Sequence, residues 1–293
     1  MQQVSVVIMD LDNTLYDWVN MWYRAFSAML DKLVAQSGVP RETLLRDIQS
    51  VYRKHGTSEY AFLIEELATL AKRHPGVNVA EQYREAIEAY QEARDAALQL
   101  YPGTRETLAS LKERGCLLVV YTESMEFYTM MRVRRLSLDG MIDYLYSPRD
   151  HPLPEGVTRE AVRQGPPSHY ELLSTEHRHV PEGEHKPNPA ILLQIIDEVG
   201  ASKEQSVYVG DSLYQDVLMA QDAGVTDVHA AYGVAQDSGA YALLRQVSHW
   251  TDEMIEEDRR LHETRSVAPT YVLKEGLAEI LDRFEFVPFA PER

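Results

Sequence analysis

The sequence predicts an α/β protein: a parallel sheet with helices on both faces, joined to a separate block of helices. Apolar runs alternate with amphipathic helical patterns over residues 101–233, whereas residues 17–100 are helical in pattern throughout. Continuously apolar strands are typical of parallel sheets, because helices cover both of their faces. We therefore expect a core made of residues 1–16 and 101–293, and a helical-bundle domain over residues 17–100.

The first strand ends in an unusual way. In "VVIMDLDNTLY", residues 6–16, the apolar stretch ends at Asp10, and a second aspartate, Asp12, follows after one intervening residue. Side chains alternate along an extended chain, so both carboxylates can lie on the same side and repel each other. Asp, Asn and Thr are also common in turns and helix caps, so the stretch alone indicates either a turn or a site that holds a cation.

The helical block contains four patterns with apolar residues three and four positions apart: "WVNMWYRAFSAMLDKLVAQSG", "RETLLRDIQSVYRKHG", "SEYAFLIEELATLAKRHPG" and "VAEQYREAIEAYQEARDAALQL". Beyond it, "PGTRETLASLKERG" predicts a helix with Thr104 as N-cap and Gly115 as its stop. "CLLVVYT" and "SVYVGD" predict buried strands, each followed by a helix. In such sheets, functional residues collect at the carboxyl ends of the strands.

Two segments fit this alternation poorly. Residues 147–185 are rich in Pro, His and charge and predict a long excursion with at most short helices. Its histidines are interpreted as solvated, with a transition-metal site as the alternative, because no tight ligand spacing is present. They are His151, His169, His177, His179 and His185. Residues 234–266 predict a helix pair before a final strand and helix.

Composition limits the function classes. The net charge of −17 argues against nucleic acid as a partner, since that binding depends on clustered Lys and Arg. The single cysteine, Cys116, excludes an internal disulfide, fits a reducing compartment and lies in an apolar strand. The sequence shows neither a membrane-spanning run nor a secretion leader, so we expect a cytoplasmic protein that does not bind membranes.

Four short motifs at predicted strand ends or helix starts resemble, in order, those of the haloacid dehalogenase superfamily. They are "DLDNT", "VVYT", "HKPNP" and "VGDSLYQD", and they contain Asp10, Asp12, Thr14, Thr122, Lys186, Asp211 and Asp216. The resemblance covers residues 1–233 and the closing "APTYVLKEGLAEIL". It implies a Rossmann-like core with a helical cap. Together the motifs are far more specific than any one of them.

The resemblance also implies roles for these residues. Asp10 is the expected nucleophile, which becomes an aspartyl phosphate, and Asp12 the acid and base. Thr122 and Lys186 are expected to bind the phosphate, and Thr14 to support the loop. Oxygen ligands from Asp10 and Asp211 suit Mg²⁺, to which Asp12 would add its backbone carbonyl. Asp216 would orient either Lys186 or a water on the metal.

The predicted activity is hydrolysis of a small phosphorylated metabolite. By the resemblance, Asp12 favours this over dehalogenation and phosphonate cleavage, whose enzymes lack that residue. A phosphomutase using the same aspartyl phosphate and a noncatalytic phosphate-binding protein remain alternatives. Glu123 departs from the family pattern; it either points away from the phosphate pocket or selects a substrate with a positive or hydroxyl-rich part. A homodimer is compatible with the sequence, which does not decide it.

Overall fold

A parallel sheet forms the centre of the protein. The computed structural model describes residues 1–153, 155–158, 166–234 and 238–291. Their strands are β1 Gln3–Val4, β2 Val6–Met9, β3 Leu117–Tyr121, β4 Tyr144–Ser147, β5 Glu176–His179, β6 Ser206–Gly210, β7 Thr226–Ala230, β8 Tyr271–Leu273 and β9 Glu285–Phe286. In this part of the chain, seven strands form one sheet in the order β5-β4-β3-β2-β6-β7-β8, and β1 pairs with β9 beside it.

Eleven α-helices are present in the described residues. They are α1 Trp18–Ser37, α2 Arg41–His55, α3 Ala68–Arg73, α4 Val79–Gln82, α5 Arg84–Ala97, α6 Thr104–Glu113, α7 Glu126–Arg135, α8 Pro189–Glu198, α9 Leu218–Ala223, α10 Ser238–Val247 and α11 Asp252–Thr264. Short 3₁₀ segments and one π-helical turn, Leu213–Val217, complete the connections. The predicted α/β class with helices around a parallel sheet is confirmed.

The strand order creates a crevice at the end of β2. The chain runs outward from β2 through β3, β4 and β5, then returns to the other side of β2 as β6. Met9, the last residue of β2, pairs with Val120 on one side and Val209 on the other. Connections that diverge from a central strand leave a crevice at its carboxyl end, which is where ligands bind in open α/β sheets. Asp10 therefore begins its loop at the switch point of the sheet.

The strands are buried because apolar side chains cover both faces. On one face, Ile8, Val119 and Tyr208 pack in a cluster with Leu192 of α8 and Met219 of α9. All of these residues are almost inaccessible to solvent. Burial on both faces explains why these strands read as continuous apolar runs instead of alternating ones.

The start of α6 differs from the prediction. Gly103 precedes the helix with a left-handed φ of 78°, and Thr104 is already the first helical residue. The Thr104 hydroxyl is buried and caps no backbone amide in the described structure, so its prediction as an N-cap is wrong. Gly115 follows the helix with a φ of 82°, the left-handed conformation that ends many helices and that the sequence predicted here.

The described residues fall into two compact units: Met1–Asp17, Gln99–Val234 and Arg265–Arg293 form the α/β unit, and Trp18–Leu98 with Ala235–Thr264 form a helical unit. Two of the four predicted helices there are interrupted. Leu67 takes an extended backbone, and Asp47 of α2 then accepts a hydrogen bond from the Thr69 amide, which starts α3 separately. Tyr83 separates α4 from α5.

Residues 235–264 group differently from the expected division, which placed residues 234–266 in the α/β core. Val247 of α10 is fully buried in the apolar cluster formed by α1 and α2. Polar contacts add to this, because Ser58 Oγ lies 3.0 Å from His249 Nδ1 and Arg53 pairs with Asp252 at 3.2 Å. The apolar face of α10 thus belongs to the helical unit; residues 235–237 lie outside the described structure.

The excursion at residues 147–185 contains more regular structure than its sequence predicted. It holds a 3₁₀ turn at Pro167–His169 and the edge strand β5, which pairs in parallel with β4. The sequence of β5, EHRH, is polar, and its side chains are exposed or partly buried. The strand therefore lacks the continuous apolar run by which buried strands are predicted. Residue 154 and residues 159–165 of the excursion lie outside the described structure.

Candidate active site

A buried ion cluster occupies the crevice at the end of β2. Lys186 Nζ lies 2.7 Å from Asp10 Oδ1 and 3.0 Å from Asp216 Oδ1. The three side chains come from the end of β2, the loop before α8 and the π-helical turn after β6. Their side chains are at most 10% exposed, so each charge needs a partner inside the protein. The predicted Asp10, Lys186 and Asp216 are therefore brought together as one hydrogen-bonded group.

Neighbouring groups fix the ammonium and Asp216 in place. The Tyr208 hydroxyl donates to Asp216 Oδ1 at 3.0 Å, and the Ser212 amide donates to Asp216 Oδ2 at 3.1 Å. Lys186 Nζ lies 4.8 Å from the centre of the Tyr121 ring and 5.5 Å from that of Tyr208. A cation is attracted to the face of an aromatic ring at this distance. Both oxygens of Asp216 thus accept hydrogen bonds. This fits one of the two roles predicted for Asp216, the orientation of Lys186.

Gly210 leaves the space that Asp216 occupies. A Cβ placed on Gly210 would lie 2.3 Å from the carboxyl carbon of Asp216, far inside van der Waals contact. Gly210 is the last residue of β6 and stands directly before Asp211. A side chain at position 210 would displace Asp216 and loosen its hold on Lys186.

Asp211 adds a third carboxylate to the cluster. Asp10, Asp211 and Asp216 each offer an oxygen within 4.8 Å of the others. Burial raises the pKa of Asp10 to about 8, with Asp216 adding to this effect and Lys186 opposing it. Burial, together with the carboxylates of Asp216 and Asp10, also raises the pKa of Asp211 well above its ordinary value. If all are ionised, three carboxylates face one ammonium, and the cluster carries two uncompensated negative charges.

This donor set fits a hard divalent cation. Carboxylate oxygens are the ligands that Mg²⁺ prefers, and its charge would balance the two excess negative charges. The imidazole Nε2 of His229 lies 2.9 Å from the backbone oxygen of Asp211, which orients this loop. Asp10 and Asp211 are the carboxylates with an oxygen still available to a cation; Asp216 is already held by Lys186, Tyr208 and Ser212.

Asp12 has a separate set of partners. Its carboxylate accepts hydrogen bonds from the hydroxyls of Tyr16 and Ser124, and Thr122 Oγ1 lies 3.5 Å from Asp12 Oδ2. Arg132 Nη1 is 3.6 Å from Asp12 Oδ1. The two aspartates of the first motif therefore do not share one counter-ion: Asp10 pairs with an ammonium, and Asp12 lies beside a guanidinium.

Thr14 and Glu123 support this arrangement. Thr14 Oγ1 lies 3.5 Å from Asp10 Oδ2. Glu123 Oε1 accepts a hydrogen bond from the Lys186 amide at 2.9 Å and lies 3.3 Å from His185 Nδ1. Burial alone would raise the pKa of Glu123, but His185 and the charge of Lys186 outweigh it and lower the pKa. Glu123 is therefore an anion that holds the backbone of Lys186.

Three residues near Asp12 were not selected from the sequence: Tyr16, Ser124 and Arg132. Arg132 is fully buried, donates to Ser124 Oγ at 3.0 Å and lies over the Tyr16 ring at 5.9 Å. Ser124 stands two residues after Thr122, so its nearness to the second motif was a usable signal. Nothing in one sequence separates Arg132 from Arg135, an exposed residue of the same helix.

Comparison with known proteins agrees with this geometry. The profile of the haloacid dehalogenase-like hydrolases matches residues 4–224, three quarters of the chain. The chain belongs to this family. It is 25% identical over 240 residues to a glyceraldehyde 3-phosphate phosphatase of Methanopyrus kandleri, covering 80% of this chain and 87% of that one. It is 26% identical over 232 residues to a phosphoglycolate phosphatase of Pseudomonas syringae pv. syringae, covering 78% and 70% of the two chains.

Solved structures extend the fold comparison to nearly the whole chain. A 2-haloacid dehalogenase from Pseudomonas syringae pv. Tomato DC3000 covers 95% of this chain and 97% of its own, with a TM-score of 0.53 at 20% identity. This haloacid dehalogenase-like hydrolase thus has the predicted fold. The family match and the phosphatase-named relatives identify it as an enzyme. The family match ends before α10, so α10 and α11 lie beyond it. Among the described helices, none combines the length and apolarity needed to cross a bilayer.

Proposed function

We propose that this hydrolase cleaves phosphomonoesters through an aspartyl phosphate on Asp10, with Asp12 as acid and base and Mg²⁺ as cofactor. The observation that carries the proposal is that the two aspartates have different interaction partners. Asp10 lies 2.7 Å from the ammonium of Lys186, whereas Asp12 is held by hydroxyls and lies beside Arg132. A nucleophile and a proton donor need different surroundings, because the nucleophile attacks in its ionised form, which the charge of Lys186 favours, while the other group changes its protonation state.

In the first step, a carboxylate oxygen of Asp10 attacks phosphorus, and the bond from phosphorus to the ester oxygen breaks. Asp12, in its protonated form, gives its proton to the departing alkoxide, so the alcohol leaves neutral. Lys186 and Thr122 stabilise the negative charge that spreads over the phosphoryl oxygens. The products are the alcohol and an aspartyl phosphate, with Asp12 now ionised.

In the second step, water attacks the phosphorus of the aspartyl phosphate. Asp12 removes a proton from this water, which restores its protonated form, while the bond between phosphorus and the Asp10 oxygen breaks. Inorganic phosphate leaves, and the Asp10 carboxylate is regenerated. A bound Mg²⁺, held by Asp10, Asp211 and the backbone carbonyl of Asp12, would supply positive charge against the phosphate.

The proposed substrate is a small phosphorylated metabolite. Relatives named glyceraldehyde 3-phosphate phosphatase and phosphoglycolate phosphatase each cover more than three quarters of this chain. At 25% and 26% identity the two names are equally near, so both compounds belong on a test panel. We assign the helical unit the role of a cap, because it is inserted directly after the segment that carries Asp10. We also expect the enzyme to act in the cytoplasm.

The test is release of inorganic phosphate from glyceraldehyde 3-phosphate, phosphoglycolate, sugar phosphates and nucleoside monophosphates, with Mg²⁺ and with a chelator. Asp10→Asn should lower turnover at least about 1,000-fold, because the amide cannot act as the nucleophile. Asp31→Asn is the matched control, since Asp31 is an exposed residue of the helical unit.

Acid quenching during turnover, followed by mass spectrometry, should find phosphate on Asp10 in the wild type and none in Asp10→Asn. Undiminished release by Asp10→Asn would overturn the proposal. Conversion of a sugar phosphate without phosphate release would replace it by a phosphomutase. Tight binding across the panel without turnover would replace it by a phosphate-binding protein.

A further inference from the structure

A second group of ionisable side chains lies two strands away from β3, at the edge of the sheet. Glu126, His177 and His179 each offer a ligand atom, and these atoms lie within 4.8 Å of one another. The two histidines are two residues apart on β5, so they face the same side, where α7 begins with Glu126. Neither the proposed phosphatase chemistry nor the four motifs use these residues.

From this cluster we propose a binding site for a transition-metal ion of the zinc class, formed by His177, His179 and Glu126. Two imidazoles and one carboxylate are a ligand set that suits Zn²⁺ and related ions, and three protein ligands leave a fourth position for water. The site differs in chemistry from the Asp10 and Asp211 pair, which offers oxygen only and suits Mg²⁺.

The distances are close to those of a bound ion. His179 Nε2 and Glu126 Oε2 are 3.9 Å apart, and the two imidazole ring centres are 4.7 Å apart. Ligand atoms on a tetrahedral zinc ion lie about 3.3 Å apart, given metal–ligand distances near 2 Å. At the largest separation of 4.8 Å, a shift of about 0.75 Å by each of the two ligand atoms would reach that spacing.

The neighbours of His177 prepare it as a ligand. Its Nε2 lies 2.8 Å from Ser147 Oγ, and Ser147 Oγ donates to the Pro148 carbonyl at 3.1 Å. The one hydroxyl hydrogen of Ser147 is directed at the Pro148 carbonyl. The Ser147 oxygen therefore accepts the hydrogen of His177 Nε2–H. The lone pair of His177 is then on Nδ1. Metal-binding histidines commonly donate their second ring N–H in this way, which fixes the ring and its tautomer.

The other two ligands are also placed for an ion. Nε2 of His179 faces Glu126, whose Oε2 lies 3.9 Å away. The Glu126 side chain is 10% exposed, so its carboxylate lies largely out of water beside the two imidazoles. Burial of a carboxylate favours a nearby cation, and a bound metal ion would supply one.

The site is coupled to the proposed phosphate pocket through one short segment. Residues 122–126 join β3 to α7 and carry Thr122 and Ser124 at one end and Glu126 at the other. The Thr129 hydroxyl also donates to the Ser124 backbone oxygen at 2.8 Å. An ion on Glu126 would restrain this segment. The proposal for the metal site does not depend on the phosphatase activity.

The test measures Zn²⁺ binding by titration calorimetry, and Co²⁺ binding by visible absorption, on the full chain stripped with a chelator. Asp211→Asn removes a ligand of the oxygen-only site, so binding that persists in this variant reports the proposed site. We expect His177→Gln and His179→Gln, made in this background, to weaken Zn²⁺ binding at least about tenfold and to remove the Co²⁺ band. His169→Gln is the matched control, because His169 is exposed in the same excursion.

Thermal unfolding in chelator shows whether each variant is folded. Added Zn²⁺ should raise the unfolding temperature of the Asp211→Asn single variant and of the double variant that also carries His169→Gln. Ser147→Ala supplies a second measurement that keeps all three ligands; it should weaken binding without changing the stoichiometry. Zn²⁺ affinity that is equal in the His177→Gln, His179→Gln and His169→Gln variants would overturn the proposal. So would a Co²⁺ spectrum that the two ligand substitutions leave unchanged.

Discussion

The two clusters at the carboxyl end of the sheet differ in how their charge is compensated. At the central strand β2, Asp10 and Asp216 share the ammonium of Lys186, and Asp211 adds a further carboxylate. At the edge strand β5, two imidazoles and one carboxylate lie together. The central cluster is therefore organised around the ammonium of Lys186, whereas the edge cluster is organised around two imidazoles.

Position in the sheet explains this difference. The central strand is covered on both faces and both sides, so its polar end needs complementary charges supplied by other loops. Among the strands of the described residues, the edge strand pairs with β4 alone, and its histidines are partly exposed. We expect substitutions at the centre to cost more in activity and stability than substitutions at the edge.

The largest effect is expected for Lys186→Met, which keeps the length of the side chain and removes its charge. Asp10 and Asp216 would lose their shared cation, a change that typically costs about 3–5 kcal/mol for a buried pair. Phosphate release should fall about 100- to 1,000-fold, because the transferring phosphoryl group loses a positioned donor. Measurements are steady-state phosphate release and denaturant unfolding, both with Mg²⁺.

Lys112→Met is the matched control, since Lys112 pairs with Asp143 at a partly exposed position. Exposed ion pairs contribute at most about 1 kcal/mol, so this variant should stay close to wild type in both measurements. Equal stability of Lys186→Met and Lys112→Met would contradict the role of Lys186 as the shared cation of the central cluster.

A smaller effect is expected for Arg132→Met. Arg132 is a positioning residue: its guanidinium bonds Ser124 and lies 3.6 Å from the Asp12 carboxylate. Removing it should lower kcat about 10- to 100-fold, with KM changed much less, because small displacements of a catalytic group reduce the rate of the chemical step. Arg132→Lys should recover part of the loss, since an ammonium replaces the charge but not the planar fork.

Arg135→Met is the control for Arg132, because Arg135 is exposed on the same helix. Unfolding curves for all three variants separate a folding defect from a rate defect. If KM rises as much as kcat falls, or if Arg132→Lys recovers nothing while remaining folded, the positioning role is contradicted.

Much of the fold and of the candidate site could be predicted, because both depend on local patterns. Asp10, Thr122, Lys186 and Asp211 stand at strand ends or helix starts, and topology alone brings such positions to one edge. The four motifs therefore predicted that these positions lie near one another, and in the structure Asp10, Lys186 and Asp216 form one hydrogen-bonded group. The direction of Glu123 could not be predicted, because it depends on the loop that carries Lys186, sixty-three residues away.

Other features depend on contacts that leave little trace in local sequence. Arg132 lies in a helix rich in arginine, and only the tertiary fold decides that this one faces Asp12. The polar strand β5 lacks the apolar run of a central strand, so His177 and His179 read as loop residues. Helix α10 is amphipathic, but its sequence pattern does not indicate which of the two units Val247 packs in.

The smallest expected effects, taken per unit of pH, concern the pH dependence of stability, where the two clusters should act in opposite directions in chelator. The pKa of Asp10 is raised from 3.8 to about 8, so between these values the folded protein holds a proton that the unfolded chain has released. Its contribution to stability falls as pH rises, by at most about 1.4 kcal/mol per pH unit. Burial, aided by His179, lowers the pKa of His177 from 6.5 to about 4, so its contribution falls as pH drops through that window.

The free energy of unfolding, measured by denaturant titration from pH 4 to pH 8, separates the two contributions. Relative to wild type, Asp10→Asn should lessen the decline toward pH 8, and His177→Gln should lessen the decline toward pH 4. Mg²⁺ should reproduce the first change, because a cation favours the ionised form of Asp10. If both substitutions shift the pH profile in the same direction, the two clusters do not differ in the sign of their charge response, and the contrast between centre and edge fails.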